Sequence, residues 1–297
     1  MVATSSPVAP DWPCPLCGGA TRRKFEAHGY GVRACHACGH RCAELAPGGD
    51  HVRNVYDDDY FFGGGAGYPD YLAEEDELRE RAARYATLVE GFAPPGRVLD
   101  VGAAAGFTLL EFQERGWEAF GLEPNPRMAA LGRERFGLPV STATLASFRD
   151  EAGPYDLVVM LQVIAHLVDP RAEMRRVFEL VRPGGLFLVE TWDRKSWTAR
   201  LFGRRWHEYS PPSVLHWFAR RGLSELASEL GFQPIATGRP RRRVRGRHAR
   251  SLVEHALDGS FLAPVARRSL RLLPEAASIP YPGDDLFWVL YRKGAGA

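Results

Sequence analysis

From residue 97 onward, short apolar runs alternate with amphipathic stretches, and this alternation restricts the fold more than any other feature of the chain. Strands are predicted at 97–101, 117–122, 138–141, 156–161 and 186–190, with helical patterns running to about 115 and over 127–136 and 171–181. Unbroken apolar runs of this length suit strands covered on both faces. Strand–helix repeats of this kind build a parallel sheet with helices on both sides, an α/β doubly wound arrangement. A charged helical pattern over 72–92, closed by Pro94-Pro95-Gly96, precedes the alternation. After it come a predicted helix at 219–230, a strand at 232–236, two helical pieces within 251–273 and a last strand at 286–292.

The first strand runs into Val98-Leu99-Asp100-Val101-Gly102-Ala103-Ala104-Ala105-Gly106. Small residues there let backbone approach a ligand, and the helix behind them offers free amides to an anion. A tight strand–helix turn wants small residues for packing as well, so the turn alone leaves both readings open. The second strand ends in Gly121-Leu122-Glu123-Pro124-Asn125, which places a carboxylate about 20 positions further on, the spacing at which an acid accepts hydrogen bonds from ribose hydroxyls. Turn and acid together predict a nucleoside site.

These stretches, with 156–170 and Val181-Arg182-Pro183-Gly184-Gly185, resemble the class I S-adenosylmethionine-dependent methyltransferases over about 54–237 and the last strand. The resemblance implies a doubly wound, mostly parallel seven-stranded sheet and S-adenosylmethionine as cofactor. It places Asp100, Gly102, Ala104 and Gly106 at the methionine end, Glu123 at the ribose, Thr144 and Leu145 at the adenine, and Gln162 near the cofactor. Ala104 stands where the family usually has a glycine, Thr144 where it often has aspartate, and Gln162 and Ala165 where it often has acids.

All five cysteines precede residue 43. Cys14-Pro15-Leu16-Cys17 and Cys35-His36-Ala37-Cys38 form two CxxC knuckles, and four thiolates can surround a structural zinc tetrahedrally. This predicts a zinc-ribbon-like module over 1–45, with Cys42 as the spare and His36 or His40 as alternative ligands. A metal-free ribbon or a redox pair is the competing reading. The remaining chain divides into an aromatic linker and helix at 46–93 and a cofactor-binding domain at 94–297. The linker carries Tyr56, Tyr60, Phe61, Phe62, Tyr68 and Tyr71, which either form a lid over the cofactor or fasten the linker to the domain.

Methyl transfer needs a general base only when the acceptor must lose a proton. His166, just past the fourth strand, is one candidate; a helix-capping role is the alternative. His207, Tyr209, His216 and Trp217 follow the fifth strand, where the family often faces substrate, although they can equally pack the loop at Pro211-Pro212.

The net charge of +2 argues against a protein that coats nucleic acid over its whole surface. The expected acceptor is a small molecule or glycan. The alternatives are RNA methylation through the basic run 239–250, which is otherwise a solvated loop, and a methyltransferase-like binding protein without catalysis, suggested by Ala104, Thr144 and Gln162. The first residues do not read as a signal peptide and no apolar run is long enough to span a bilayer, so the expectation is a cytoplasmic protein without a membrane partner.

Overall fold

A computed structural model describes residues 12–63, 70–149, 154–240, 243–245, 278–280 and 284–295. The helical pieces expected within 251–273 and the arginines at 241, 242, 247 and 250 lie outside the described residues.

Three strands open the chain: β1 (Thr21–Ala27), β2 (Tyr30–Cys35) and β3 (Arg41–Ala43). Two short helices, α1 (His51–Val55) and α2 (Asp58–Phe62), follow. A single 3-10 turn at Leu72–Glu74 leads into α3 (Glu75–Glu90), whose first turn carries Glu75, Asp76 and Glu77, acids that suit the positive end of a helix dipole. Then come β4 (Arg97–Val101), α4 (Phe107–Gln113), β5 (Glu118–Leu122), α5 (Pro126–Phe136), β6 (Val140–Ser141) and β7 (Tyr155–Leu161). A 3-10 turn at Ile164–His166 precedes α6 (Pro170–Leu180) and β8 (Val181–Trp192). The last third supplies α7 (Trp197–Phe202), β9 (His216–Trp217), α8 (Arg220–Glu229), β10 (Phe232–Gly238), β11 (Arg243–Arg245), β12 (Ser278–Pro280) and β13 (Leu286–Lys293).

The main sheet has seven strands in the order β10-β13-β8-β7-β4-β5-β6, and β13 alone runs antiparallel to its neighbours. Successive residues of one strand enter two different cores, as strand geometry requires. Leu99, Val101, Val158, Met160, Phe187 and Val189 join Met174 and Val177 of α6 and Leu223 and Leu226 of α8. Val98, Leu157, Val159, Leu186 and Leu188 join Tyr85 and Val89 of α3, Leu109 and Phe112 of α4 and Ala129 of α5. The sheet is therefore covered on both faces, the doubly wound layering expected from the sequence. β8 is longer than expected. Helix α6 ends at Leu180, and Arg182-Pro183-Gly184-Gly185 form a bulge between the pairs Tyr155↔Val181 and Leu157↔Leu186, with Gly184 at φ +74°.

The second sheet, β1-β2-β3-β9, contains a strand, β9, from the stretch that the sequence places in the cofactor-binding domain. His216 and Trp217 lie more than 170 residues after β3, yet pair with Cys42 and Arg41. Cys14, Leu16, Val32, Cys35 and Ala43 of the N-terminal module share one continuous core with Tyr209, Leu215, Trp217 and Phe218. Arg33 ties the module together from inside: it donates to Glu44 Oε1 (2.6 Å), Thr21 Oγ1 (2.8 Å) and the Thr21 carbonyl (3.0 Å), so its buried charge is fully engaged.

Trp217 is completely buried, and its indole N–H donates to the Glu208 carbonyl at 2.7 Å. Trp217→Ala is expected to cost about 3–5 kcal/mol and to lower one common unfolding transition of module and domain. Differential scanning calorimetry checks this; two separate transitions, only one of them shifted, would show that the two parts fold independently.

Candidate functional site

The C-terminal ends of β4, β5, β6 and β7 bring the expected cofactor residues to one edge of the sheet, the place where open α/β sheets bind ligands. Glu123, one residue past β5, is buried with its carboxylate spread between two loops. Oε2 accepts from Ala104 N–H and Oε1 from Asn125 N–H, both at 2.8 Å. Ala104 sits at φ +47° between Gly102 (φ +78°) and Gly106 (φ +91°). A methyl group is thus accommodated at the middle position, held by the Glu123 bond, in a left-handed conformation that L-residues seldom adopt. Gly102 has no such latitude, because a Cβ there would run into the Val163 side chain.

Burial pushes the Glu123 carboxyl up to about 7, against the two amide bonds that favour its ionised form. Burial likewise pushes Asp100 up to about 8; the Arg81 charge pulls it back and the Glu123 charge raises it further. Two buried carboxyls beside each other are a site prepared for hydrogen-bond donors and positive charge.

Gln162, at φ +61°, continues this edge. Its backbone N–H donates to the Glu190 carbonyl at 2.8 Å and its Nε2 to Glu190 Oε1 at 2.9 Å. Glu190, fully buried at the end of β8, also receives the Tyr85 hydroxyl and lies 3.6 Å from Arg81. Arg81, Tyr85 and Glu190 are absent from the sequence reading. An acid closing an otherwise apolar strand was the available signal for Glu190; Arg81 and Tyr85 sit one turn apart on a charged helix and carry no motif.

Thr144 and Leu145 follow β6, beside the Glu123 loop, whose N–H donates to the Ser141 carbonyl at 3.0 Å. Leu145 is buried in the core, and Thr144 spends its hydroxyl on Ser147 (Ser147 N–H to Oγ1, 3.2 Å).

The aromatic linker lies against the same edge. Phe61 and Tyr71 are buried with Ala104, Ala105 and Phe107, and the Tyr71 and Phe107 rings stack at 5.5 Å. The Tyr56 carbonyl accepts from Asn125 Nδ2 at 3.1 Å, while its hydroxyl donates to the Ser213 carbonyl at 2.6 Å.

The four candidates for chemistry fall in different places. His166 joins the cofactor edge: Nδ1 donates to the Ser213 carbonyl at 2.7 Å, and its ring meets Tyr56 edge-on at 5.5 Å. A carbonyl only accepts, so this bond puts the ring proton on Nδ1 and the lone pair on Nε2. Burial holds the ring below the ordinary histidine pKa, which keeps it neutral. His216 is buried between the module and this turn. Its Nε2 donates to the Leu167 carbonyl at 2.9 Å and its Nδ1 accepts from His40 Nε2 at 3.1 Å; burial pushes it down to about 4. Tyr209 receives a hydrogen bond from Arg41 of β3, and its ring packs on Phe25 and Trp217. His207 Nε2 lies 2.8 Å from Glu208 Oε1, near Asp285.

In the module, the sulfurs of Cys14, Cys17, Cys35 and Cys38 converge, with Cys14–Cys38 at 3.6 Å and Cys17–Cys35 and Cys17–Cys38 at 3.5 Å. These are far from a disulfide bond length and close to the edge of about 3.8 Å of a tetrahedron with Zn–S of about 2.3 Å. Gly18 and Gly39, each just after a knuckle, share φ +71°. Among the described residues Cys42, His36 and His40 stand outside this cluster.

Residues 74–237 match a family described as a methyltransferase domain. The ubiquinone biosynthesis O-methyltransferase of Cereibacter sphaeroides (strain ATCC 17029 / ATH 2.4.9) is 29% identical over 150 residues, covering 47% of this chain and 61% of that protein. The protein of the same description from Rhodopseudomonas palustris (strain HaA2) is 28% identical over 166 residues, covering 53% and 64%. The chain thus spans less than two thirds of the length of these relatives. Magnesium protoporphyrin IX methyltransferase from Synechocystis PCC 6803 superposes with a TM-score of 0.52 at 14% identity, over 82% of this chain and 98% of that one. The 1,6-didemethyltoxoflavin-N1-methyltransferase of Burkholderia thailandensis, solved with S-adenosylhomocysteine, gives 0.51 at 15% identity, over 92% and 99%. At such identities the likeness is one of fold.

The raised carboxyls carry a stability consequence. A carboxyl whose folded pKa exceeds its unfolded one stabilises most below the unfolded value and loses that contribution as pH rises through the folded value. The ligand-free protein is therefore expected to lose stability from these two groups progressively as pH rises from about 4 to about 8. Glu123→Gln should flatten the profile. Urea denaturation across that range measures it, and equal slopes for wild type and variant would count against the raised pKa of Glu123.

Proposed function

Because the chain belongs to the class I S-adenosylmethionine-dependent methyltransferase family, we propose that it transfers the methyl group of S-adenosylmethionine to a small-molecule or glycan acceptor. The observation that carries this reading is Glu123, a buried carboxylate at the end of β5 whose amide bonds fix the Gly102–Gly106 loop beside it. Each carboxylate oxygen keeps a lone pair beyond its amide bond, enough to accept the two ribose hydroxyls. Asp100, with Arg81 nearby, would face the methionine end, and Gly102, Ala104 and Gly106 would line it. Thr144 and Leu145 would lie at the adenine, and Gln162, anchored on Glu190, beside the sulfonium end.

Transfer is an in-line displacement: the acceptor's electron pair forms the new bond to the methyl carbon while the C–S bond breaks and neutral sulfide leaves. Positioning and exclusion of water supply much of the rate. His166, neutral with its lone pair on Nε2, is the base in this reading when the acceptor must shed a proton. His216 would act through the Leu167 carbonyl, and Tyr209 through the module interface. A small acceptor agrees with the relatives named for ubiquinone biosynthesis and with the fold neighbours named for a porphyrin and a toxoflavin precursor. Two features weigh against the alternatives. The loop accommodates Ala104 without losing its left-handed turn, so that departure is no sign of lost catalysis. Arg239, the first arginine of the basic run, is spent on Asp193 (2.8 Å) and the Leu286 carbonyl (3.1 Å) instead of facing a phosphate backbone.

We assign the four-cysteine cluster to one structural zinc. Four protein ligands leave no open position for catalysis, so the ion would hold the module's knuckles.

Binding of hydroxyl donors to Glu123 favours its ionised form, so cofactor binding should release protons. S-adenosylhomocysteine affinity is expected to rise as pH increases toward about 7, by at most about tenfold per unit, and to level off above it. Glu123→Ala should weaken binding and abolish most of the pH dependence. Isothermal titration calorimetry in buffers of different ionisation heat reads both effects; an unchanged affinity in the variant would remove Glu123 from the ribose.

Elemental analysis of protein prepared without chelators should find about one zinc per chain. Cys35→Ser should lower that content and the melting temperature, while Cys42→Ser should retain the metal. Absence of zinc from freshly purified wild type would overturn the assignment.

A further inference from the structure

The two most exposed large apolar side chains among the described residues stand on the same short helix: Leu201 at 68% and Trp197 at 52% exposure, both on α7. Trp197, Arg200 and Leu201 are spaced i, i+3 and i+4, which places them along one face of α7; the helix ends at Phe202, and Arg204 and Arg205 follow on a 3-10 turn at Gly203–Arg205. Thr198 and Ala199 turn inward and are buried, and Phe202 rests partly buried on the core, so α7 is seated by its inner face, and its outer face has no partner among the described residues. Lys195, Arg200, Arg204 and Arg205 are all exposed, and none makes an ion pair among the described residues. No acidic residue occurs from Lys195 through His207. Asp284, at the start of the helix, is engaged by the Trp197 and Thr198 amides (3.2 Å each) and lies 3.8 Å from Arg239.

From these observations we infer that the outer face of α7 is a docking surface for an anionic phospholipid bilayer. The composition fits that partner and no other class as well. A tryptophan and a leucine standing clear of the surface can enter the headgroup–acyl boundary. Arginine and lysine beside them keep their charges at the phosphates while their stems lie along the apolar layer. Four exposed cations against the one carboxylate at the start of the helix, Asp284, match the negative potential of such a surface. A nucleic-acid strand would use the cations and leave Leu201 without a role. A second copy of this chain would bring four like charges together. The expectation of no membrane partner rests on the lack of a spanning run, and a helix lying in the interface needs none. Because α7 follows β8, whose end carries Glu190 at the cofactor edge, docking would turn that edge of the sheet toward the bilayer. The inference does not depend on the identity of the acceptor.

The experiment is co-sedimentation of the full chain with vesicles of phosphatidylcholine alone and with about 30 mol% phosphatidylglycerol, at low salt and at about 0.5 M salt. Binding is expected to the anionic vesicles only and to weaken with salt. Trp197→Ser with Leu201→Ser is expected to reduce it at least about tenfold, as is Arg200→Gln with Arg204→Gln. Far-UV circular dichroism and S-adenosylhomocysteine affinity should stay unchanged in both variants, which separates lost docking from lost folding or lost cofactor binding. The inference is overturned if wild type ignores anionic vesicles, if either pair of substitutions leaves binding intact, or if light scattering shows a dimer that the Trp197/Leu201 variant dissolves. Salt-sensitive RNA binding lost in the arginine variant but kept in the Trp197/Leu201 variant would also overturn it.

Discussion

A single buried carboxylate holds the cofactor edge in shape. Glu123 takes one amide from the loop after β4 and one from the loop after its own strand, so the two segments that must flank a nucleoside are fastened to the same group. Removing it would leave two buried amide donors without acceptors, a cost comparable to losing the bonds themselves. The bond to Ala104 N–H also supports a positive φ at a residue with a side chain. In this fold the acid proposed to bind the ribose is also the reason the loop stands ready before a ligand arrives.

A second constraint links that edge to the cysteine module. Strand β9 belongs to the module by pairing and to the methyltransferase domain by chain position. His216, on β9, joins His40 just beyond the second knuckle to the Leu167 carbonyl, one residue beyond His166. Its tautomer follows from its partners: a carbonyl at Nε2 demands the proton there, and Nδ1 is left to accept from His40. The module thus reaches the turn that carries His166 through the buried, neutral imidazole of His216 and through Leu215, whose carbonyl accepts from Ala43 N–H (2.8 Å) and whose N–H donates to the Ala165 carbonyl (2.9 Å).

The sequence made the sheet legible because buried parallel strands read as unbroken apolar runs and their helices as amphipathic ones. Each strand from β4 to β8 fell within a few residues of its expected place, apart from the bulge at 182–185, where Pro183 and the glycines look like a helix stop instead of a strand interruption. Asp100, Gly102 and Glu123 were legible because backbone geometry and hydroxyl recognition allow few residue types at those positions. Arg81, Tyr85 and Glu190 were not, since their association depends on α3 lying across the ends of β4 and β8. The role of 216–217 as a module strand was invisible for the same reason: two residues carry no periodicity, and their partners lie far away in the chain.

The Ser213 carbonyl gathers the remaining threads. It accepts from both His166 and the Tyr56 hydroxyl, which fills its two lone pairs with one group from the β7 turn and one from the aromatic linker. Tyr56 in turn receives Asn125 at its carbonyl, and Asn125 donates its backbone N–H to Glu123. A continuous path of hydrogen-bonded residues therefore runs from Glu123, proposed to hold the ribose, through the linker, to the imidazole proposed as base. Displacing the linker would break two of its links, Asn125 to Tyr56 and Tyr56 to Ser213, and leave the Ser213 carbonyl, which lies outside the linker, bonded to His166 Nδ1. The linker therefore braces the carbonyl that orients His166, while the proton on Nδ1 and the lone pair on Nε2 rest on Ser213 itself.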